Sequence, residues 1–224
     1  MNFIGHLLVA GWHADAQPRA DPQREAAFGL GAMLPDFASM AGIRPPPVQH
    51  AAVTQGVELH HRTDDVFHAC PTFVELSRDV FQELVLTGVE RGPARAVAHI
   101  GVELLIDGEL LQREPALGNA YLSALTAFEA LPDDAFREAD RVPLARLRQR
   151  LVSYGIPYDY QRPEQVTARL ISILGRRPRL ALNATAAVSV GLRMPDLKAR
   201  VAERLSELLS SLAQGLSHPR YSAG

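Results

Sequence analysis

Residues 93–113, PARAVAHIGVELLIDGELLQR, decide how the whole chain reads. Pro93 suits the first turn of a helix, where its missing N–H has no intrahelical partner to lose. Val97, Ile100, Leu104, Leu105 and Leu111 recur at helical steps and make one apolar face. A second stripe runs beside it: His99, Glu103 and Asp107, each four residues from the next, lie along one line of the helix. A neutral imidazole and two carboxylates are ligand types suited to Mn, Mg, Fe or Zn. At 1.5 Å per residue the stripe spans roughly 12 Å, so at most two neighbours serve one ion and other helices supply the rest. The plainer alternative makes His99 a satisfied core histidine and the acids solvated. Against it, the acids are interleaved with Val102, Leu104, Leu105 and Ile106, where an unpaired carboxylate is expensive to bury.

Helical periodicity continues outward in both directions, and no segment alternates apolar and polar like a strand. Helices are expected over 2–12, 25–34, 48–62, 72–87, 93–113, 118–130, 143–153, 163–175, 181–192 and 196–214. Loops are expected at 13–24, at 41–47 with Pro45, Pro46 and Pro47, and from Tyr154 to Pro163. The second helix is expected to stop near Pro35. Thr72 and Glu75 have capping-box spacing, and Asp196 after Pro195 reads as a helix start. No break in composition divides residues 1–224, so one all-α domain is expected.

The 224 residues are 47% hydrophobic and 21% charged, as in ordinary globular proteins. A single cysteine, Cys70, excludes an internal disulfide and fits a reducing, cytoplasmic setting. The opening MNFIGHLLVAGWHADA has a short apolar run without a preceding Lys or Arg, unlike a signal peptide. No apolar run reaches the length of a membrane span. Charge is unevenly spread. Residues 1–136 carry 8 basic and 18 acidic groups, net −10, whereas 137–204 carry 14 basic and 6 acidic, net +8. That polarity fits either two solvated surfaces or an acidic metal site beside a basic docking surface. The Arg-rich half has no aromatic stacking motif beside it, so nucleic acid is not an expected partner.

Three further constellations carry chemistry. In Glu58-Leu59-His60-His61-Arg62-Thr63-Asp64-Asp65, His60 can meet Asp64, and His61 can meet Asp65, one helical turn away. Such a pair binds metal, or the carboxylate orients the imidazole for proton transfer. Arg62 suits a forked contact to phosphate. Asp36, after Pro35, is either a ligand or a cap. His6, with Asn2, lies on the first apolar helix, where a lone histidine is more often structural. P-loop, GxGxxG, nucleophile-elbow and CxxC signatures are absent.

Together these segments resemble the acyl carrier protein phosphodiesterase family. Met1 to Leu7 is similar to the family's MNFLAHL opening. Gly31 to Phe37 resembles GNLLADF at Gly31, Leu34, Asp36 and Phe37. Gly56, His60, Arg62 and Asp64 match a GIxxHRxID-like stretch. Val102 to Leu110 resembles LDxxxDHFL, with Glu103 for the first acid and Asp107 for the second. Gly175 to Leu180 resembles SRRPRL. The resemblance implies an all-helical fold related to the HD phosphohydrolases. It also implies a divalent metal, usually manganese, and hydrolysis of the phosphodiester linking 4′-phosphopantetheine to holo-acyl carrier protein. It implies a site of Asp36, His60, Asp64 and Asp107, with His6 and Arg62 nearby; Asn2, His6 and His61 are the candidates to support the ligands from behind. His99 and Glu103 join as candidate ligands. Arg176, Arg177 and Arg179 would dock an acidic carrier protein. Two positions depart from the family: Gly108 stands where it has a histidine after the second acid, and Glu58 where it has the first histidine of a His-x-His pair. The alternatives are a phosphohydrolase acting on a small-molecule ester, or a helical binding module without a working metal site.

Overall fold

The computed structural model describes residues 1–15 and 21–217. Among them the regular structure is all helical: α1 (Phe3–Asp15), α2 (Pro22–Ala41), α3 (Ala51–Ala69), α4 (Pro71–Leu86), α5 (Arg91–Arg113), α6 (Ala116–Ala130), α7 (Glu138–Tyr154), α8 (Pro163–Gly175) and α9 (Ala184–Gly215). Short 3-10 turns occupy Asp133–Ala135 and Tyr158–Gln161. One contiguous apolar core joins them, with Trp12, Phe67, Leu105, Ile106 and Leu110 almost wholly removed from water. No helix among the described residues is long and apolar enough to cross a membrane.

The strongest pairing, between α2 and α3, rests on two glycines. A Cβ on Gly31 would stand 2.9 Å from the Val53 Cα, and one on Gly56 would stand 2.8 Å from the Gly31 Cα. Only residues without side chains permit the two backbones to approach this closely. The closeness brings His60 of α3 against the Ala32 carbonyl of α2.

Helix α5 is the central rod, touching α1, α4, α6, α8 and α9. Its glycine at 108 lies directly under the 3-10 turn. A Cβ there would meet the Tyr160 carbonyl and lie 2.9 Å from the Gln161 nitrogen, so no histidine fits. The 3-10 turn at 158–161 closes over α5 at this point.

Several boundaries differ from the sequence expectation. Pro35 does not end α2; the helix runs on to Ala41 and stops at Gly42, whose left-handed backbone (φ 74°) closes it. Only one internal hydrogen bond, to the Gly31 carbonyl, is forfeited by Pro35, and the buried face Met33, Leu34, Phe37 and Ala38 holds the helix together. The two helices expected around Pro195 are one, because Val190, Met194, Leu197 and Val201 form a continuous buried stripe. Asp196 is therefore not a cap and pairs with Arg200. Thr72 and Glu75 form no capping box: Thr72 donates to Glu207 of α9, and Glu75 pairs with Arg204. Helix α3 continues seven residues past the expected end at 62, to Ala69. The loop expected at 13–24 is shortened at both ends, and its residues 16–20 lie outside the described residues.

Candidate functional site

Two stripes of period four face one another near the start of α1. Helix α3 contributes His60, Asp64 and His68; α5 contributes His99, Glu103 and Asp107. Each has a carboxylate in the middle. His6 of α1 and Asp36 of α2 complete the assembly.

His60 and His6 stack with ring centroids 4.0 Å apart. The Nδ1 of His60 lies 2.8 Å from the Ala32 carbonyl, so Nδ1 carries the proton and Nε2 presents its lone pair inward. That Nε2 is 3.4 Å from Asp64 Oδ2, and His6 Nε2 is 3.3 Å from Asp64 Oδ1. Asp36 Oδ2 stands 4.0 Å from His6 Nε2. Neither ring nitrogen of His6, nor Asp36 Oδ2, has a well-aligned hydrogen-bond partner, although all three atoms are buried. Buried polar atoms left this way are uncommon and call for an explanation. His6, His60 and Asp64 offer three ligand atoms within 4.8 Å of one another.

The second group lies on the other side of the Met1 amino group. His68 Nε2 is 3.2 Å and His99 Nε2 3.4 Å from the same oxygen, Glu103 Oε1. The two rings stack at 5.0 Å, and Phe73 sets its ring edge-on to both at 5.3 Å. These three also offer ligand atoms within 4.8 Å of one another. The Met1 ammonium donates to Asp64 Oδ1 at 2.9 Å and to Glu103 Oε1 at 3.0 Å.

Electrostatics follow from crowding acids in a mostly dry space. Burial pushes Asp36 up to about 8, reinforced by Asp64 and Glu103. Asp107 is pushed up to about 7 by burial, although two backbone donors oppose this. Burial also penalises the charge of Asp64, but the adjacent His6 imidazole and the ammonium win and hold it well below the usual carboxylate range. Glu103 is held low in the same way by His68, His99 and the ammonium. Burial depresses His6, and it depresses His60 to about 4. Neutral imidazoles beside ionised carboxylates are the protonation states that bind a divalent cation without first losing a proton. The ligand types, the orphaned nitrogens of His6 and the backbone-oriented His60 all fit such an ion.

The remaining expected residues sort by place. Asp107 is fully buried and its carboxylate is engaged: Ile4 N–H donates to Oδ2 at 3.1 Å and Gly5 N–H to Oδ1 at 2.9 Å. It anchors the first turn of α1, where free amides and the helix dipole favour an anion. In doing so it sets the position of His6. Arg62 is exposed, out of phase with 60 and 64 on α3, and donates to the Leu216 carbonyl at the end of α9. His60 is the inward histidine; His61 is exposed and meets His60 edge-on at 5.4 Å. Asn2 sits beside Tyr160 behind α1. Glu58 is exposed. Arg176, Arg177 and Arg179 are exposed just after α8, away from the stripes in sequence. His68 went unnoticed in the sequence because α3 was expected to end at 62. The spacing 60, 64, 68 was the signal, the twin of 99, 103, 107.

No protein-family model, curated protein or solved structure matches the chain.

Proposed function

We propose that the protein is a metal-dependent phosphodiesterase whose ion is held by His6, His60 and Asp64, with Asp36 at its edge. One observation carries the reading. Residues 6, 36, 60 and 64 come from three sequence segments, each resembling the acyl carrier protein phosphodiesterases, and all four side chains meet around one group of ligand atoms. A divalent ion in such a site supplies Lewis acidity and lowers the pKa of bound water. The chain's own part is to present the ligands. Ala32 orients His60, Asp107 fixes the turn bearing His6, and the α2–α3 glycine contact sets the distance between them. Asp36, whose carboxyl burial pushes up to about 8, is the proposed proton donor to a leaving oxygen. Manganese is the proposed metal, with Mg, Fe and Zn as the alternatives this donor set accepts.

The proposed substrate is the phosphodiester of holo-acyl carrier protein. The exposed, Arg-rich segment 176–179 supports an acidic protein partner, since none of Arg176, Arg177 and Arg179 pairs with a carboxylate among the described residues. The HD-phosphohydrolase relationship of the fold belongs to the same proposal. The test is release of 4′-phosphopantetheine from holo-acyl carrier protein with manganese, compared with hydrolysis of bis(para-nitrophenyl) phosphate. The proposal expects both activities, lost in His60→Ala and Asp64→Ala. Hydrolysis of the small ester alone would point to a small-molecule substrate. Activity unchanged in both variants would refute the site.

A further inference from the structure

The cluster at His68, His99 and Glu103 is not explained by a single ion at His6, His60 and Asp64. Three features make it more than a surface grouping of charges. First, the two imidazoles come from different helices, α3 and α5, yet both aim Nε2 at one carboxylate oxygen, at 3.2 and 3.4 Å. Second, the rings are held: they stack 5.0 Å apart at an interplanar angle of 17°, and the edge-on ring of Phe73 packs against each. Third, the cluster repeats the composition of the first group, two histidines and one carboxylate, a donor set that suits Mn, Fe or Zn.

The two groups are also neighbours. Asp64 Oδ1 and Glu103 Oε1 both lie about 3 Å from the Met1 nitrogen, so they are no more than about 6 Å apart. Between them sits a cation, the Met1 ammonium, and around it stand Asp36, Asp64, Glu103 and Asp107. The ammonium is shared by the two carboxylates of the two groups, Asp64 and Glu103. Access differs usefully: the side chains of His68 and His99 are 35% and 46% exposed, whereas those of His6 and His60 are almost fully buried. The second group is the solvent-facing half of the site.

We infer that the chain binds two divalent ions side by side, with His68, His99 and Glu103 holding the second. This rests on the proposed function for the first ion and extends it to a dinuclear centre, the arrangement that phosphoester hydrolases use to grip both sides of a phosphoryl group.

The test is manganese content, measured by elemental analysis on protein stripped by chelator, reloaded with manganese(II) and freed of excess metal. Electron paramagnetic resonance of the same samples reports whether two manganese ions are coupled. Two ions per chain are expected, with a coupled signal. His99→Ala and His68→Ala, both on partly exposed positions, are each expected to fall to one ion per chain and to lose the coupling while circular dichroism stays unchanged. His60→Ala is expected to lose the buried ion. One ion per wild-type chain, unaltered in His99→Ala and His68→Ala, would overturn the second subsite and leave the proposed function standing. Two ions in both variants would overturn the ligand assignment. No ion in the folded wild type would overturn both readings.

Discussion

Gly31→Ala tests the contact on which the site's geometry depends. Gly31 is inside α2, and alanine in a helix interior is favoured over glycine by about 1 kcal/mol. Considered locally, the change stabilises the protein. The packing says the reverse. The added Cβ would stand 2.9 Å from the Val53 Cα and carbonyl carbon, and closer still to the oxygen, where ordinary contact begins at 3.4 Å. Backbone atoms cannot swing aside, so α2 and α3 must part by roughly an ångström, at a cost of about 1–3 kcal/mol for overpacking. The His60 to Ala32 hydrogen bond, now 2.8 Å, then stretches beyond a useful length, which costs roughly a further 1–3 kcal/mol. The net expectation is a loss of about 1–5 kcal/mol, or roughly 2–20 °C in Tm for a chain of this size. Gly11→Ala is the matched control. It lies in α1 with nothing within 4 Å of its Cβ, and should raise Tm by a few degrees. Thermal unfolding of metal-free protein by circular dichroism reads both. A Tm that rises or holds in Gly31→Ala would refute the close α2–α3 contact.

The other predictions concern the site and its surroundings. Metal-free protein should lose stability as pH falls from about 6.5 to about 4: the unfolded chain takes up a proton at residue 60 in that window while the folded chain, with His60 near 4, does not. The full effect is at most about 3 kcal/mol, and urea unfolding should show a shallower pH slope in His60→Asn; parallel profiles would contradict the assignment. Asp107→Asn keeps one acceptor for the Ile4 and Gly5 amides and should cost about 1–3 kcal/mol in urea unfolding, against no change if those bonds are absent. Gly108→Ala should destabilise the protein because its Cβ meets the Tyr160 backbone, although the residue is helical; increased stability would contradict the close approach of the 3-10 turn to α5. Replacing Arg176, Arg177 and Arg179 together by Gln should raise KM for holo-acyl carrier protein and leave hydrolysis of a small phosphodiester unchanged; equal effects on both would count against a docking surface.

Helical periodicity was sufficient to read the all-α class, and α5 and α8 fall close to where their apolar spacing puts them. The errors cluster where a local signal was overruled by packing. Pro35 and Pro195 are breakers by their own chemistry, but each lies in a helix whose flanking residues bury a long apolar stripe, and that burial outweighs one missing hydrogen bond. Thr72 and Glu75 have capping-box spacing, yet each finds a stronger partner on α9, which no local window can reveal. In the site, His60, Asp64, His99 and Glu103 were legible because spacing of four on a helix is visible in one dimension. His68 was lost with the misjudged end of α3. The division of the ligands into two groups was not legible at all, since it depends on how α1 inserts its first turn between α3 and α5. Asp107 was legible by its spacing, but its hold on the amides of Ile4 and Gly5, more than a hundred residues away in sequence, was not.

The central claim is that this pocket holds a metal ion, and the most direct measurement is elemental analysis of the purified, folded protein after manganese reconstitution, with Asp64→Ala alongside. Asp64 is the carboxylate that both His6 and His60 approach. The account predicts at least one tightly held ion per wild-type chain, and a loss of at least one in the variant. A folded wild-type protein that retains no metal would contradict it and favour a helical binding module with an empty acidic pocket.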